Sequence, residues 1–154
     1  MIPLADIRVI DARPEHAVSL AKTMRETDVL ELKRLGYTPY QGLMLSCRSS
    51  IIKKTALIDG VVVAMFGASG DLLSPAVHPW LLSSDCVTQY PLVTASIYRK
   101  EIKSMVKIFG VLNGFVLASY ENYLRLLKLV GFSISAPEAY GNNGELFCRF
   151  EMRA

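Results

Sequence analysis

With 154 residues the chain has the length of one domain that can bury a core of its own. Hydrophobic residues make up 51% and charged residues 20%, which excludes a disordered or low-complexity polypeptide. The net charge of +3 comes from scattered Lys and Arg; it is too small to require nucleic acid, and it is compatible with a small anionic ligand.

The cysteines Cys47, Cys86 and Cys148 are odd in number and far apart. They read as reduced packing residues, and with His16 and His78 they match no metal-ligand spacing, so no metal is expected. The opening MIPLADIRVIDARPEH breaks into charge and proline at once, unlike a secretory signal, and no uncharged run approaches the ~20 residues of a membrane span. A soluble intracellular protein is the expectation.

In chain order, Asp6 to Ile10 reads as a short strand. Pro14 suits the first turn of a helix carrying Ala17, Leu20, Ala21 and Met24 at helical spacing, to about Arg25. Thr27 or Asp28 can cap a second helix with Val29, Leu32 and Leu35, closed by Gly36. Pro39 opens a third, with Leu43, Met44 and Cys47 on one face.

The stretch Ile51 to Ser84 is the centre of the reading. Asp59-Gly60 lies between two apolar runs and predicts a two-residue type I′ hairpin, which needs φ > 0 at both positions. Val61 to Phe66 carries no charge, so both its faces should be covered, as in a central strand. A third strand is expected through VHPWLLSS, followed by the polar loop or single turn SDCVTQY.

Pro91 then opens a long helix, with Ala95, Tyr98, Ile102, Met105, Val106 and Phe109 on one face and Arg99, Lys100, Lys103 and Lys107 mostly on the other. Those cations lack interleaved aromatics, so they read as a solvated face. A strand at Phe115 to Ala118, a helix from Tyr120 to Val130 stopped by Gly131, and a strand from Phe132 follow. Pro137 to Gly144 makes a broad turn, and Leu146 to Met152 pairs back. The order predicts an α/β (α+β) fold: a mixed sheet with helices on both faces, in one domain over residues 1–154.

This order is similar to that of the GNAT superfamily of N-acetyltransferases. The resemblance rests on IRVIDARPEHAVSLAKTM as first strand and helix, on LRLLKLVGF as the last core helix with its closing Gly-Phe, and on GNNGELFCRFEM as a terminal hairpin. HPWLLSSDCVTQYP with the late YGNNGELFCRFEM further resembles GNAT-like proteins of tailed bacteriophages, among them internal virion proteins.

The resemblance implies acetyl-CoA or CoA as ligand and direct attack by an amine. Cofactor contacts would come from backbone groups of Leu81, Leu82 and Ser83, and from the first turn after Pro91 (Leu92, Val93, Thr94), with Arg99 or Lys100 adding charge. Asp71, His78 or Glu138 would serve as base, and Ser83 or Ser84 as hydroxyl donor. Trp80, Tyr90 and Tyr98 would line an acyl pocket or belong to the core.

The chain departs from the family pattern in two places. Ser83 to Thr94 contains no glycine where the family has its pyrophosphate loop, and Asp85 adds negative charge there. Tyr120 and Leu127 stand where members usually carry Asn and a thiolate-protonating Tyr. The resemblance therefore also admits a catalytically silent protein that docks on a bacterial host enzyme or a virion component. It would act in the host cytoplasm or the virion. Tyr120, Tyr123 and Leu124 could form a partner patch or a homodimer seam.

Overall fold

The computed structural model describes residues 6–70, 76–139 and 144–154. These run as β1 (Ile7–Asp11), α1 (Pro14–Thr23), α2 (Glu26–Arg34), α3 (Pro39–Arg48), β2 (Ser50–Ile58), β3 (Val61–Ser69) and β4 (His78–Ser83). Then come α4 (Asp85–Gln89), α5 (Pro91–Phe109), β5 (Val111–Leu117), α6 (Glu121–Val130), β6 (Ser133–Ile134), β7 (Glu138–Ala139) and β8 (Leu146–Arg153). The fold is α/β, and its strands form two sheets, β1-β2-β3-β4 and β5-β8-β6 with β7 beside β8. The single sheet expected from the sequence is thus resolved into two. The chain divides into two compact units, Met1–Gly70 with Trp80–Gln89, and Asp71–Pro79 with Tyr90–Ala154.

In the first unit the hairpin forms where the sequence predicts it. Asp59 (φ 50°) and Gly60 (φ 80°) both take positive φ, and Ile58 pairs with Val61 across the turn. The uncharged run of β3 is interior: Val62 to Ala68 are all buried, and the strand lies between β2 and β4. Leu20, Leu43 and Met65 are fully buried and belong to one core with Ala17, Met24, Leu32, Val62 and Leu82. Each such large side chain contributes about 1.5–3 kcal/mol through burial.

Local chemistry sets the helix ends. Thr38 and Gln41 cap α3 reciprocally: the Thr38 hydroxyl accepts the Gln41 N–H at 3.2 Å and Gln41 Oε1 accepts the Thr38 N–H at 3.0 Å. After α2, Gly36 takes φ 90°, Tyr37 N–H donates to the Leu32 carbonyl, and Gly36 N–H to that of Lys33. That is a Schellman ending, which needs the glycine. One boundary differs from expectation. α2 already begins at Glu26, so neither Thr27 nor Asp28 is its cap, and Asp28 faces inward instead. Of the two forms expected for SDCVTQY, a loop or a single turn, the second is the nearer: Asp85–Gln89 is the short α4.

In the second unit, α5 buries Ala95, Tyr98, Ile102, Met105 and Val106 and exposes Arg99, Lys100, Lys103 and Lys107, as its periodicity predicts. The main partner of β8 is β5, along a ladder from Val111↔Arg153 to Leu117↔Phe147, while β6 adds only Ser133↔Glu151 and Ile134↔Phe150. α6 starts at Glu121, with Tyr120 as its N-cap, and ends at Gly131 in the left-handed region. The Phe132 and Phe150 rings then meet edge to face, centroids 5.2 Å apart.

Candidate functional site

The most organised polar cluster lies in the first unit, where the start of α2 meets the end of β4. Asp28 is 4% exposed and Arg25 9%. Asp28 Oδ2 accepts Arg25 Nε–H at 2.9 Å and the backbone N–H of Ser83 at 2.9 Å. Arg25 N–H in turn donates to the Ser83 carbonyl at 2.8 Å, and its guanidinium reaches Thr88 Oγ1 at 3.5 Å. Both backbone groups of Ser83 are thereby committed. Its hydroxyl is different: Ser83 is fully buried, and its Oγ has no hydrogen-bond partner among the described residues.

Burial dominates the electrostatics here. It pushes the Asp28 carboxyl above the ordinary carboxylate range, against the lowering effect of Arg25 and the Ser83 N–H. Glu31, one turn further along α2, is also raised, first by burial and then by the charge of Asp28. Sequence reading missed this cluster because Arg25 and Asp28 resemble ordinary helix-terminus residues. The partner that gives them meaning is 55 residues away.

The remaining expected site residues are spread along β4 and α5. Leu81 and Leu82 are buried in β4, and Ser84 N–H donates to the Val63 carbonyl at 2.8 Å. The Ser84 hydroxyl accepts the Cys86 N–H at 3.4 Å, a local turn contact. His78 opens β4 as an exposed residue, and its Nδ1 lies 2.7 Å from the Asn113 carbonyl oxygen. A carbonyl only accepts, so Nδ1 carries the proton, and in the neutral ring Nε2 keeps the free lone pair. Along an extended strand His78 and Ser83 are about 16 Å apart, too far to serve one reacting atom. Asp71 lies outside the described residues, and Glu138 is exposed in the two-residue β7.

At the start of α5, Pro91 is the first helical residue and has no N–H, while Thr94 N–H is already bonded to the Tyr90 carbonyl at 3.0 Å. The free main-chain donors of that turn are therefore Leu92 and Val93, and Arg99 is exposed two turns on. Trp80 donates its indole N–H to Ser50 Oγ at 2.6 Å. Tyr90 is exposed, while Tyr98 is only 3% exposed and hydrogen-bonded to Tyr123; burial and that bond hold its phenol well above the ordinary range. Tyr98 is thus a core residue, and Tyr123 turns toward it. Leu127 is fully buried. Among the described residues no group of His, Cys, Asp and Glu could hold a metal ion, and no helix is long and apolar enough to cross a membrane.

No family model and no curated protein matches the sequence. Solved structures do match it over nearly its whole length. Ard1 from Thermoplasma volcanium superposes with a TM-score of 0.72 at 16% identity, covering 96% of this chain and 97% of that one. A GNAT-family acetyltransferase from Bacillus anthracis gives 0.68 at 6% identity, covering 97% and 96%. The microcin C7 self-immunity acetyltransferase MccE, solved in complex with acetyl-CoA and AMP, gives 0.73 at 8% identity, covering 97% and 93%. At these identities the likeness is one of fold, and the chain has the GNAT acetyltransferase fold.

Proposed function

We propose that this chain, as a single GNAT-like domain over residues 1–154, binds acyl-CoA and transfers its acetyl group to an amine. The observation that carries the reading is the likeness to GNAT acetyltransferases over 96–97% of the chain. The fold alone hosts several functions, so the residues must carry the rest. In their favour, Ser83 offers a buried hydroxyl without a partner among the described residues, and Leu92 and Val93 offer free main-chain donors for an anion.

Bound acetyl-CoA would supply the activated acyl carbon and a thiolate leaving group. The chain's own residues have separate tasks. In the second unit, the Leu92 and Val93 N–H groups, with the exposed Arg99 and Lys100, would meet a phosphate of the cofactor. Ser83 Oγ gives a proton to the departing sulfur, and the Arg25–Asp28 pair holds Ser83 in position through its backbone. His78, about 16 Å along β4 from Ser83, is too far away to act as base at the same reacting centre, and this reading gives it no step.

A second reading is favoured by Leu127. Its hydrocarbon side chain is fully buried where the family usually carries the proton-donating tyrosine. In this reading the domain is silent as an enzyme and docks on another protein, a bacterial host enzyme or a virion component. Thermal denaturation with and without acetyl-CoA and CoA separates the two. A ligand that binds only the folded state raises the melting temperature. A shift followed by thiol release with an amine supports the transferase; no shift at millimolar cofactor removes it and leaves docking.

A further inference from the structure

A recess of about 230 Å³ opens in the first unit, walled by Ala12, Arg13, Pro14, Ala17, Met44, Cys47, Arg48 and Lys53. Its chemistry is sorted by depth. Ala17 is fully buried, and Ala12, Met44 and Cys47 are half-buried, so the floor is hydrocarbon with one thiol. Arg13, Arg48 and Lys53 are exposed and stand at the mouth. Lys53 Nζ lies 3.5 Å from the Cys47 carbonyl, which keeps its ammonium at the rim.

Beyond the Cys47 carbonyl at Lys53, these charges have no counter-charge among the described residues. Among the described residues no carboxylate pairs with Arg13, Arg48 or Lys53; the nearby Asp11 is held by Lys54 at 2.7 Å. The walls are fixed as well. Arg13 N–H donates to His16 Nδ1 at 3.0 Å, and the buried Thr55 hydroxyl lies 2.8 Å from the same nitrogen, tying the start of α1 to β2. Ala12 N–H donates to the Lys53 carbonyl at 3.2 Å, tying the end of β1 to the same strand. Exposed lysines and arginines alone would signify a solvated face. A fixed apolar recess beneath unanswered cations has the pattern of a site for an amphiphilic anion.

We propose that this recess binds a small carboxylate with an apolar body, its head on the arginines and lysine and its tail on Ala17 and Met44. The volume is the share of about eight waters, so the occupant has on the order of eight non-hydrogen atoms, the size of a six-carbon acid. The proposal does not depend on acyl-CoA binding, because none of its residues belongs to that reading.

The test is a titration of the full chain with hexanoate, hexanamide and inorganic phosphate, followed through the methyl resonances of Ala17 and Met44. Hexanoate should give a saturable shift at those methyls, with hexanamide and phosphate each at least about tenfold weaker. Arg48→Gln combined with Lys53→Gln, both exposed, should abolish the preference for hexanoate over hexanamide without changing the melting temperature. No saturable shift with ~10 mM hexanoate overturns the proposal. So do equal responses to the acid and the amide, a phosphate response as strong as that to hexanoate, and an unchanged preference in the double variant.

Discussion

The carboxylate of Asp28 accepts the backbone N–H of Ser83 at 2.9 Å, joining the first turn of α2 to the last residue of β4. The same oxygen accepts Arg25 Nε–H, so one buried atom serves a cation and a strand end together. Removing either partner leaves the other charged or polar group buried without its complement.

Asp28→Ala should therefore lower the unfolding free energy by about 3–5 kcal/mol, the usual cost of a buried charge left unpaired. Replacing both members together, Arg25→Met with Asp28→Leu, should lose much less, because the uncompensated guanidinium disappears. Urea unfolding of the two variants decides the matter. Equal losses would mean that the pair acts through packing alone.

Ser83→Ala removes a hydroxyl that is buried and has no partner among the described residues, so the free protein should be unchanged or more stable by about 1 kcal/mol. If that hydroxyl serves the departing thiol, turnover with acetyl-CoA should fall by about 10²-fold or more, the contribution typical of a positioned acid. Stability and turnover moving in opposite directions is the expected signature. A loss of both would make Ser83 a packing residue.

Burial holds the carboxyls of Asp28 and Glu31 above the ordinary range. The unfolded chain thus releases these protons at lower pH than the folded chain does. The contribution of the two groups to stability is fullest below the ordinary carboxylate pKa and is lost as pH rises through the raised folded value. Asp11 acts in the opposite sense: hydrogen-bonded and charge-paired to Lys54, its carboxyl is lowered, so its contribution is lost as pH falls. Glu31→Gln should gain on the parent as pH climbs from about 3 to 7, by up to about 1 kcal/mol once screening by water is allowed for. Denaturation across that range tests it, and a constant difference would refute it.

Two interior glycines should respond unequally to a methyl group. At Gly114 an added Cβ would meet the Phe150 ring at 2.6 Å, a side chain that can yield somewhat. At Gly67 it would run into the Ile52 carbonyl oxygen, which is main chain and cannot yield without breaking the β2–β3 register. Gly114→Ala should cost about 1–3 kcal/mol and Gly67→Ala more. Comparing their melting temperatures is enough.

Much of the fold can be read locally. Asp59-Gly60 specifies its turn by a conformational requirement, the uncharged β3 announces its burial, and α5 writes its two faces in its periodicity. The candidate site is harder to read. Arg25 and Asp28 sit where helix starts commonly place charge, and only the distant strand end explains them. The partner of β8 is equally silent in sequence, because it depends on a pairing between distant segments. Phe132 onward looks like its natural partner by proximity, yet β5 offers a ladder running the length of Val111 to Leu117.

That choice makes β8 the hub of its sheet, since β5, β6 and β7 all hydrogen-bond to it. A frameshift or proteolytic cut ahead of Leu146 would strip all of them of this partner at one stroke. It would bare the edge of β5, where Phe115 is already half exposed, to pairing with other chains. Loss of solubility, ahead of any loss of chemistry, is the damage to look for in such a truncation.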